Sequence, residues 1–436
     1  MSEHSQTDLP RTTVLIVGGG LSGLMLGALL ENAKIPYHIL ERSAEARPLA
    51  ISGNILPAFE QLGIYEELKK DSLRHVAMDF YDAKYNYLGI IETKAHKITC
   101  GYDYLLLSRP KLYDILRRQI PDSKFSLGKK VLRTKEDEGK SLVYCSDNSI
   151  YECAILVGAD GAYSAVRQNM YTRLTEVDKL PPCDKDSFTI GHITMVGVAT
   201  PPNPEKYPQL SEDRTHFRVL IGNNNETSYV VTVPGNQFCW ALGTQVPVTN
   251  AKDQQFRNSE WGPESLDAMM EEFKDLPCPF GGTMNDLFNA TPKNLISKVF
   301  LEEKVFKTWY HGRSVLLGDA CHKMLPGAGQ DLSNEGITAV FENYYKQRYP
   351  EAELQFTNSA IMSKIMFGQK RMERFWRNVM LNHMPYWILQ KKFDSDLAYR
   401  PQINWLPLVE NRGTGKVLPQ EGREEAAAVK EEKRLL

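Results

Sequence analysis

The chain has 436 residues, of which 42% are hydrophobic and 24% charged, and its formal net charge is −2. This composition is typical of a globular protein with two or three domains, and the charge gives no electrostatic reason to expect a nucleic-acid partner. Seven scattered cysteines without a C-x-x-C pair indicate reduced thiols in an intracellular, cytoplasmic setting. The polar N-terminus lacks the apolar segment of a signal peptide, and no apolar run is long enough to predict a membrane span.

The stretch Thr12–Glu41 contains the first informative motif. A β-rich apolar run ends in Gly18, Gly20 and Gly23, an apolar helix is predicted over Leu21–Glu31, and a second short strand ends at Glu41. In a G-x-G-x-x-G turn the first glycine permits the turn, the second lets a diphosphate approach, and the third lets helix and strand pack closely. The helix N-terminus attracts the diphosphate, and an acid such as Glu41 can bind the ribose. Alone, the motif fits an NAD-dependent dehydrogenase as readily as a flavoprotein.

The segment after Glu41 predicts helices and a hairpin. The apolar spacing of Asn54–Lys70 predicts a helix that turns at Gly63, and Val76–Tyr81 with Tyr87–Glu92 predicts a hairpin. Arg109 stands just before a predicted helix, Lys111–Gln119, where a cation opposes the helix dipole. Its charge therefore serves either a ligand or an ordinary solvated surface.

A second motif follows another predicted buried strand, Ala154–Val157. The strand runs into Asp160 and Gly161, and a helix with Ser164 and Arg167 in its first turns comes directly after. An Asp-Gly pair can be an ordinary turn. Here the order of elements places polar and cationic groups over the first nucleotide site.

Residues 181–304 are rich in strand-like runs and loops, and this pattern predicts an inserted antiparallel sheet domain. Alternation in Tyr229–Trp240 directs one set of side chains toward the nucleotide domain. Tyr229, Phe238 and Trp240 therefore line a pocket or, as is more common for such residues, fill the sheet core.

A third motif lies in Gly312–Val340. A strand ends in Gly318 and Asp319, and a small-residue loop that includes Pro326 and Gly329 precedes a predicted helix. Small residues let the chain lie flat against a planar ring, and Asp319 could bind ribityl hydroxyls. His322 and Cys321 are interpreted as structural, because no nucleophile stands at a useful spacing from the histidine.

The remainder predicts helices with breaks at Pro350 and Pro385. The aromatic and basic segment Phe375–Phe393 could touch a membrane surface, although a packed C-terminal helix is the more common fate of such a pattern. Residues 413–436 are charged and low in complexity, and they predict a disordered tail.

Together the three motifs resemble the FAD-dependent aromatic hydroxylase family, the group A flavoprotein monooxygenases with the p-hydroxybenzoate hydroxylase fold. The closest branch in this resemblance is the fungal paxilline-type FAD monooxygenases. The resemblance implies an α/β Rossmann-like FAD-binding domain with an inserted antiparallel sheet substrate domain and C-terminal helices. The corresponding predicted ranges are 11–180 and 305–345 for the FAD-binding domain, 181–304 for the insertion, 346–412 for the helical region and 413–436 for the tail.

The resemblance also implies a cofactor and its ligands. FAD is the expected cofactor, with NADPH or NADH as co-substrate, O2 and a small organic molecule as the other reactants, and a flavin C4a-hydroperoxide as the hydroxylating or epoxidising species on an aromatic or alkenyl substrate. Tyr229 is a candidate catalytic residue. The cofactor-binding residues implied are Gly18, Gly20, Gly23, Glu41, Arg42, Arg109, Asp160, Gly161, Arg167, Gly318, Asp319, Pro326, Gly329 and Leu332.

The sequence departs from the family pattern at four places. Asp331 replaces a loop glycine, Thr338 replaces an acid, and the chain looks short near 48–52 and between Val340 and Phe341. These departures leave two alternatives open: a reductase or dehydrogenase on the same fold, and a degenerate flavin-binding protein without activity. A monomer and a homodimer are both compatible with the sequence, as is peripheral membrane contact through the C-terminal helices.

Overall fold

A computed structural model describes residues 10–43, 49–137, 139–222, 226–245, 263–323, 337–368 and 370–418. The strands of these residues are β1 Arg11–Val17, β2 Tyr37–Leu40, β3 Leu49–Ile51, β4 Leu73–His75, β5 Ala77–Asp82, β6 Tyr87–Glu92, β7 Tyr104–Leu107, β8 Phe125–Ser126, β9 Val131–Asp137, β10 Lys140–Cys145, β11 Ile150–Gly158, β12 Thr189–Ala199, β13 Phe217–Ile221, β14 Glu226–Val233, β15 Gln237–Gln245, β16 Ser297–Val305, β17 Tyr310–His311, β18 Ser314–Leu316 and β19 His322–Lys323. The α-helices are α1 Leu21–Asn32, α2 Leu56–Gln61, α3 Tyr65–Lys70, α4 Lys94–Cys100, α5 Arg109–Arg117, α6 Ala165–Glu176, α7 Pro182–Lys185, α8 Pro263–Phe273, α9 Met284–Asn289, α10 Ile337–Phe367, α11 Arg371–Asn378 and α12 Tyr386–Asp396.

The first sheet is built around β1. Its strand order is β17-β18-β11-β1-β2-β8, and β10 and β9 extend it from β11. Strand β1 pairs in parallel with both β11 and β2, and β11 pairs in parallel with β18. The apolar run Val14–Val17 is buried because a parallel sheet is covered on both faces. This arrangement confirms the Rossmann-like prediction.

The second sheet has the order β19-β16-β12-β15-β14-β13-β5-β6. Most of it comes from the insertion predicted over 181–304, but its last two strands are the hairpin β5–β6. Strand β13 pairs in parallel with β5, so Phe217 lies opposite Met78. The sequence position of this hairpin predicts that it belongs to the FAD-binding domain, whereas its strands, like β19 at the other end, complete the second sheet. A third, small sheet has the order β3-β7-β4.

The break predicted at Pro350 is wrong, because α10 continues through this residue and also through positions 340 and 341. A proline inside a helix removes one backbone hydrogen bond and costs about 3 kcal/mol. Tyr344 and Ala352 are buried in the main core on either side of Pro350, and this packing offsets the cost. The break at Pro385 is confirmed, since Pro385 precedes the first residue of α12.

The end of the described chain returns to the first domain. Arg400 Nη2 donates to the carbonyl oxygen of Thr99 at the end of α4 (2.8 Å), and Gly415 N donates to the same oxygen (2.9 Å). A Cβ on Gly413 would lie 2.1 Å from that oxygen, so the backbones are in direct contact. Residues 413–415, which fall within the predicted disordered tail, therefore contact α4, and residues 419–436 lie outside the described residues.

All seven cysteines lie within the described residues, and each is a free thiol. None of the helices in the described ranges combines the length and apolar character that crossing a membrane requires.

Candidate cofactor and substrate cleft

The register of the parallel strands brings the three motifs to one edge of the first sheet. Val17 at the end of β1 lies opposite both Leu40 on β2 and Gly158 on β11. Gly158 in turn lies opposite Leu316 on β18. The residues that follow these four positions are the glycine turn, Glu41, Asp160 and Asp319, so they meet at the carboxyl edge, where open α/β sheets bind ligands.

The glycine turn is shaped for a close approach of backbone to ligand. Gly18 has φ +108°, and a Cβ there would lie 2.2 Å from the carbonyl oxygen of Ala159. A Cβ on Gly23 would lie 2.0 Å from the carbonyl oxygen of Gly18, so α1 and the turn are in contact. Gly20 differs, because its Cβ would meet nothing within 4 Å among the described atoms. The space beside Gly20 at the start of α1 fits a diphosphate.

Glu41 is fixed by two backbone amides. Gly19 N donates to Oε2 (2.5 Å) and Ser43 N donates to Oε1 (2.7 Å). The carboxylate therefore joins the glycine turn to the end of β2, the position from which a ribose would be bound. Arg42 is exposed next to it.

Asp160 caps α6. Its Oδ2 atom accepts hydrogen bonds from Ala165 N (2.6 Å) and Val166 N (3.3 Å), and burial raises the pKa of the carboxyl group. Gly161 adopts φ +81°, which favours glycine and lets the chain turn into the helix. The second motif thus builds a rigid turn beside the first.

Arg167 connects the second motif to the third. Its Nη1 atom donates to the carbonyl oxygen of Ala320 (2.7 Å), and Nη2 donates to that of Ala162 (2.5 Å). The guanidinium carbon lies 4.1 Å from the ring centre of Phe306. The sequence placed this cation over the nucleotide site; the structure buries it between two turns that border the site.

Asp319 is the accessible carboxylate of the third motif. Its side chain is exposed, yet desolvation by the surrounding protein raises the pKa of the carboxyl group, while the charges of Lys323 and Arg109 oppose this effect. The neighbouring Gly318 adopts φ +61°, and a Cβ there would lie 2.4 Å from Ser22 Oγ on α1. The third motif therefore packs directly on the helix of the first, and Arg109, the first residue of α5, faces the same cleft.

Aromatic rings form a cluster where the second sheet meets the small third sheet. Tyr104 and Tyr229 both keep accessible surface, and desolvation raises the pKa of each hydroxyl. The four rings contact one another in series. The ring centres lie 5.3 Å apart for Tyr104 and His75, 5.6 Å apart for His75 and Phe217, and 5.2 Å apart for Phe217 and Tyr229. Of these four residues the sequence singled out only Tyr229, and its role stays a prediction.

Phe238 and Trp240, the other candidates on the same hairpin, are fully buried in the core of the second sheet. The sequence allows two interpretations of these aromatic residues, a pocket wall or the sheet core, and the structure treats the two strands differently. Tyr229 on β14 is half-buried against Phe217, and Phe238 and Trp240 on β15 fill the sheet core.

Three of the predicted cofactor-binding residues lie outside the described residues: Pro326, Gly329 and Leu332. The same is true of Asp331, while Thr338 lies at the start of α10. A separate cavity of about 560 Å³ lies at the amino ends of β1 and β2, between Thr12, Tyr37 and Tyr151. Parallel sheets bind nucleotides at their carboxyl edge, so this cavity at the amino edge is not part of the cleft.

Residues 11–344 match the family described as FAD binding domain, which is well over half of the chain. The chain belongs to this FAD-binding domain family. The match confirms the family predicted from the three motifs and confirms FAD as its cofactor. The observations that fit FAD are the open space beside Gly20, the fixed carboxylate of Glu41 and the accessible carboxylate of Asp319.

Relatives within the family carry a common description. The chain is 28% identical over 340 residues to the FAD-dependent monooxygenase ptmM of Penicillium ochrochloron, covering 73% of this chain and 74% of that protein. It is 24% identical over 451 aligned positions to the FAD-dependent monooxygenase ausM of Emericella nidulans, covering 94% and 89%. A variant of HpxO from Klebsiella pneumoniae, solved in complex with FAD, has a TM-score of 0.71 at 17% identity and covers 89% of this chain and 99% of that chain. This structural similarity confirms the predicted fold.

Proposed function

We propose that this chain is an FAD-dependent monooxygenase that uses NAD(P)H and O2 to hydroxylate or epoxidise an aromatic or alkenyl small molecule. The observation that carries the proposal is the convergence of three cofactor motifs at one strand edge. Relatives named FAD-dependent monooxygenases support it. When bound, FAD supplies the redox and oxygen-activating chemistry, and the protein supplies binding, orientation and exclusion of water.

The predicted cofactor-binding residues have the following roles in this proposal. Gly20 leaves room for the diphosphate, Gly18 and Gly23 shape the turn, Glu41 binds the ribose, and Asp319 binds the ribityl chain. Arg109 supplies positive charge at the edge of the same cleft. Asp160, Gly161 and Arg167 keep the two later turns in position, and the roles of Arg42, Pro326, Gly329 and Leu332 follow the family pattern.

Tyr229 is proposed to contact the substrate. Tyrosine is protonated at neutral pH, and desolvation raises the pKa of the Tyr229 hydroxyl further, so this group can donate a hydrogen bond. The adjacent Phe217 ring offers a flat apolar surface to an aromatic or unsaturated substrate. A Tyr229→Phe variant should keep FAD affinity and raise KM or the fraction of NAD(P)H oxidised without product.

The decisive experiment is FAD titration followed by turnover under labelled oxygen. Purified protein should bind FAD and turn yellow, and phenols, indoles or prenylated compounds should stimulate NAD(P)H oxidation. With ¹⁸O2, one labelled atom should appear in the product. Oxygen uptake without labelled product would favour the reductase alternative, and a protein that ignores added FAD would contradict the proposal and favour the degenerate alternative. In the latter case Asp331→Gly should restore FAD affinity.

We also propose an intracellular location, which the seven free thiols support. Peripheral contact with a membrane is a separate proposal, and its argument rests on the C-terminal helices.

A further inference from the structure

Helix α11 has an inverted distribution of polar and apolar residues. Met372, Phe375 and Trp376 are 63%, 55% and 53% exposed, whereas Arg377 is buried at 8%. Successive helical residues are about 100° apart, so the three apolar side chains occupy an arc of about 100° on the side away from Arg377. Soluble helices normally bury such residues and expose arginine, so this exposed face indicates a contact surface.

The exposed apolar surface continues beyond α11. A π-helical turn over Val379–His383 and Pro385 lead into α12, where Trp387 is 66% exposed and Ile388 is 37% exposed. We name Met372, Phe375, Trp376, Trp387 and Ile388 the aromatic face. All five residues fall within 17 positions of the chain, and two of them are tryptophans, the residue that is enriched where protein meets the headgroup region of a bilayer.

The charge of this segment differs from that of the whole chain. Residues 370–396, which span both helices, contain six Lys and Arg residues and three acids, a net charge of +3 in a chain whose total is −2. Arg371 and Lys391 are exposed on α11 and α12 respectively, and Lys392 is paired with Asp396 (2.8 Å). Exposed cations next to exposed tryptophans match the negative surface of an anionic membrane.

The two helices are anchored to the second sheet, so they present the face on a fixed support. Leu381, in the π-helical turn, is buried with Phe80, Val219 and Ile221. Asn382 Nδ2 donates to the carbonyl oxygen of Leu88 on β6 (2.7 Å), and a Cβ on Gly89 would lie 2.7 Å from Leu381 Cβ. These contacts of Leu381 and Asn382 hold the turn against the sheet, and the residues of the aromatic face stay exposed to solvent.

We propose that the aromatic face binds peripherally to anionic lipid bilayers, with the tryptophans in the interfacial region and the flanking cations on the lipid headgroups. The proposal is independent of catalysis, because the aromatic face includes none of the cleft residues. The test therefore measures membrane binding and not turnover.

The test is co-sedimentation of the full FAD-loaded chain with vesicles. Wild type should sediment with phosphatidylcholine vesicles that contain about 30% phosphatidylserine, and at least about fivefold less with phosphatidylcholine alone or in about 1 M salt, where the Debye length falls to about 3 Å. Trp376→Ala with Trp387→Ala, and separately Arg371→Glu with Lys391→Glu, should reduce binding to a similar degree. Leu127→Ala with Leu132→Ala is the matched control, because these exposed leucines lie outside the aromatic face.

A second measurement does not depend on the alanine variants being stable. Brominated phosphatidylcholine, mixed with phosphatidylserine, should quench the tryptophan fluorescence of wild type more than that of Trp376→Phe with Trp387→Phe. Wild-type protein that stays in the supernatant, or binding that neither pair of substitutions reduces, would overturn the proposal. So would a wild-type dimer that does not bind vesicles and that Trp376→Ala with Trp387→Ala converts to monomers, because the face would then join two copies of the chain.

Discussion

Gly20 allows protein stability and cofactor affinity to be separated at a single residue. Its φ of −71° suits any residue, and an added Cβ would enter open space, so the folded protein should accept Gly20→Ala at a cost of about 0.5 kcal/mol. The same methyl group would occupy the space that a diphosphate needs. We expect FAD to bind about tenfold more weakly, equivalent to about 1.4 kcal/mol.

The measurement is a fluorescence titration of FAD beside a urea unfolding curve without FAD. Gly191→Ala is the control, since its Cβ would also enter open space but lies on β12, away from the first sheet. Unchanged FAD affinity in Gly20→Ala would show that the diphosphate does not lie beside Gly20.

The residues that sequence reasoning could identify are those with a local reason for their identity. Gly18 and Gly161 need a left-handed backbone, and Glu41 and Asp160 follow directly on buried strands. Tyr104, His75 and Phe217 have no such local signal. Their rings meet through the pairing of β4 with β7 and of β13 with β14, which joins positions far apart in the chain.

At the scale of elements, Arg167 couples α6 to the turn that carries Asp319. The guanidinium group donates to two carbonyl oxygens and lies over Phe306, and a lysine cannot reproduce this planar arrangement. Arg167→Lys should lower the free energy of unfolding by about 2 kcal/mol, the typical value of a buried hydrogen bond to a charged group. FAD affinity should fall as well, because the turn borders the cofactor cleft.

Arg173→Lys on the same helix provides the comparison. Arg173 Nη1 bonds Thr134 Oγ1 (3.0 Å) in a half-buried position, so its replacement should cost less than about 1 kcal/mol and leave FAD affinity unchanged. Equal effects of the two substitutions on stability and on FAD binding would argue against a coupling role for Arg167.

Elements were predictable from sequence where pattern and local chemistry agree. The β1–α1–β2 unit and the two helices separated by Gly63 follow from apolar spacing and glycine positions. Two features did not follow. The continuity of α10 through Pro350 depends on packing, and the membership of β5 and β6 in the second sheet depends on pairing with a strand about 140 residues later.

At the scale of the whole molecule, three buried histidines predict how stability depends on pH. Desolvation lowers the pKa of His75, His96 and His322 to about 4. In His96 the acceptor nitrogen faces an N–H group, because Gly53 N donates to Nε2 (3.1 Å) while Nδ1 bonds the carbonyl oxygen of Tyr102 (3.2 Å). Protonation would place two donors against each other.

The sign of the pH effect follows from proton binding. The unfolded chain, with histidine pKa near 6.5, binds these protons more tightly than the folded chain, so folding free energy is lost as pH falls from about 6.5 toward 4. Each histidine contributes a slope of about 1.4 kcal/mol per pH unit in that window. Asp160 and Asp319, whose pKa values are raised by desolvation, act in the opposite direction and stabilise the cofactor-free protein as pH falls.

Replacing His322 isolates one of these contributions. Its ring packs 5.3 Å from that of Trp309, so His322→Phe preserves an aromatic contact and removes the titrating group. Urea unfolding of the cofactor-free protein between pH 7 and pH 5 should show a slope reduced by about 1.4 kcal/mol per pH unit below pH 6, whatever the absolute stability of the variant. If His322→Phe retained the wild-type slope, His322 would bind its proton as readily in the folded protein as in the unfolded chain, and the protonated ring would need a hydrogen-bond acceptor beside Trp309.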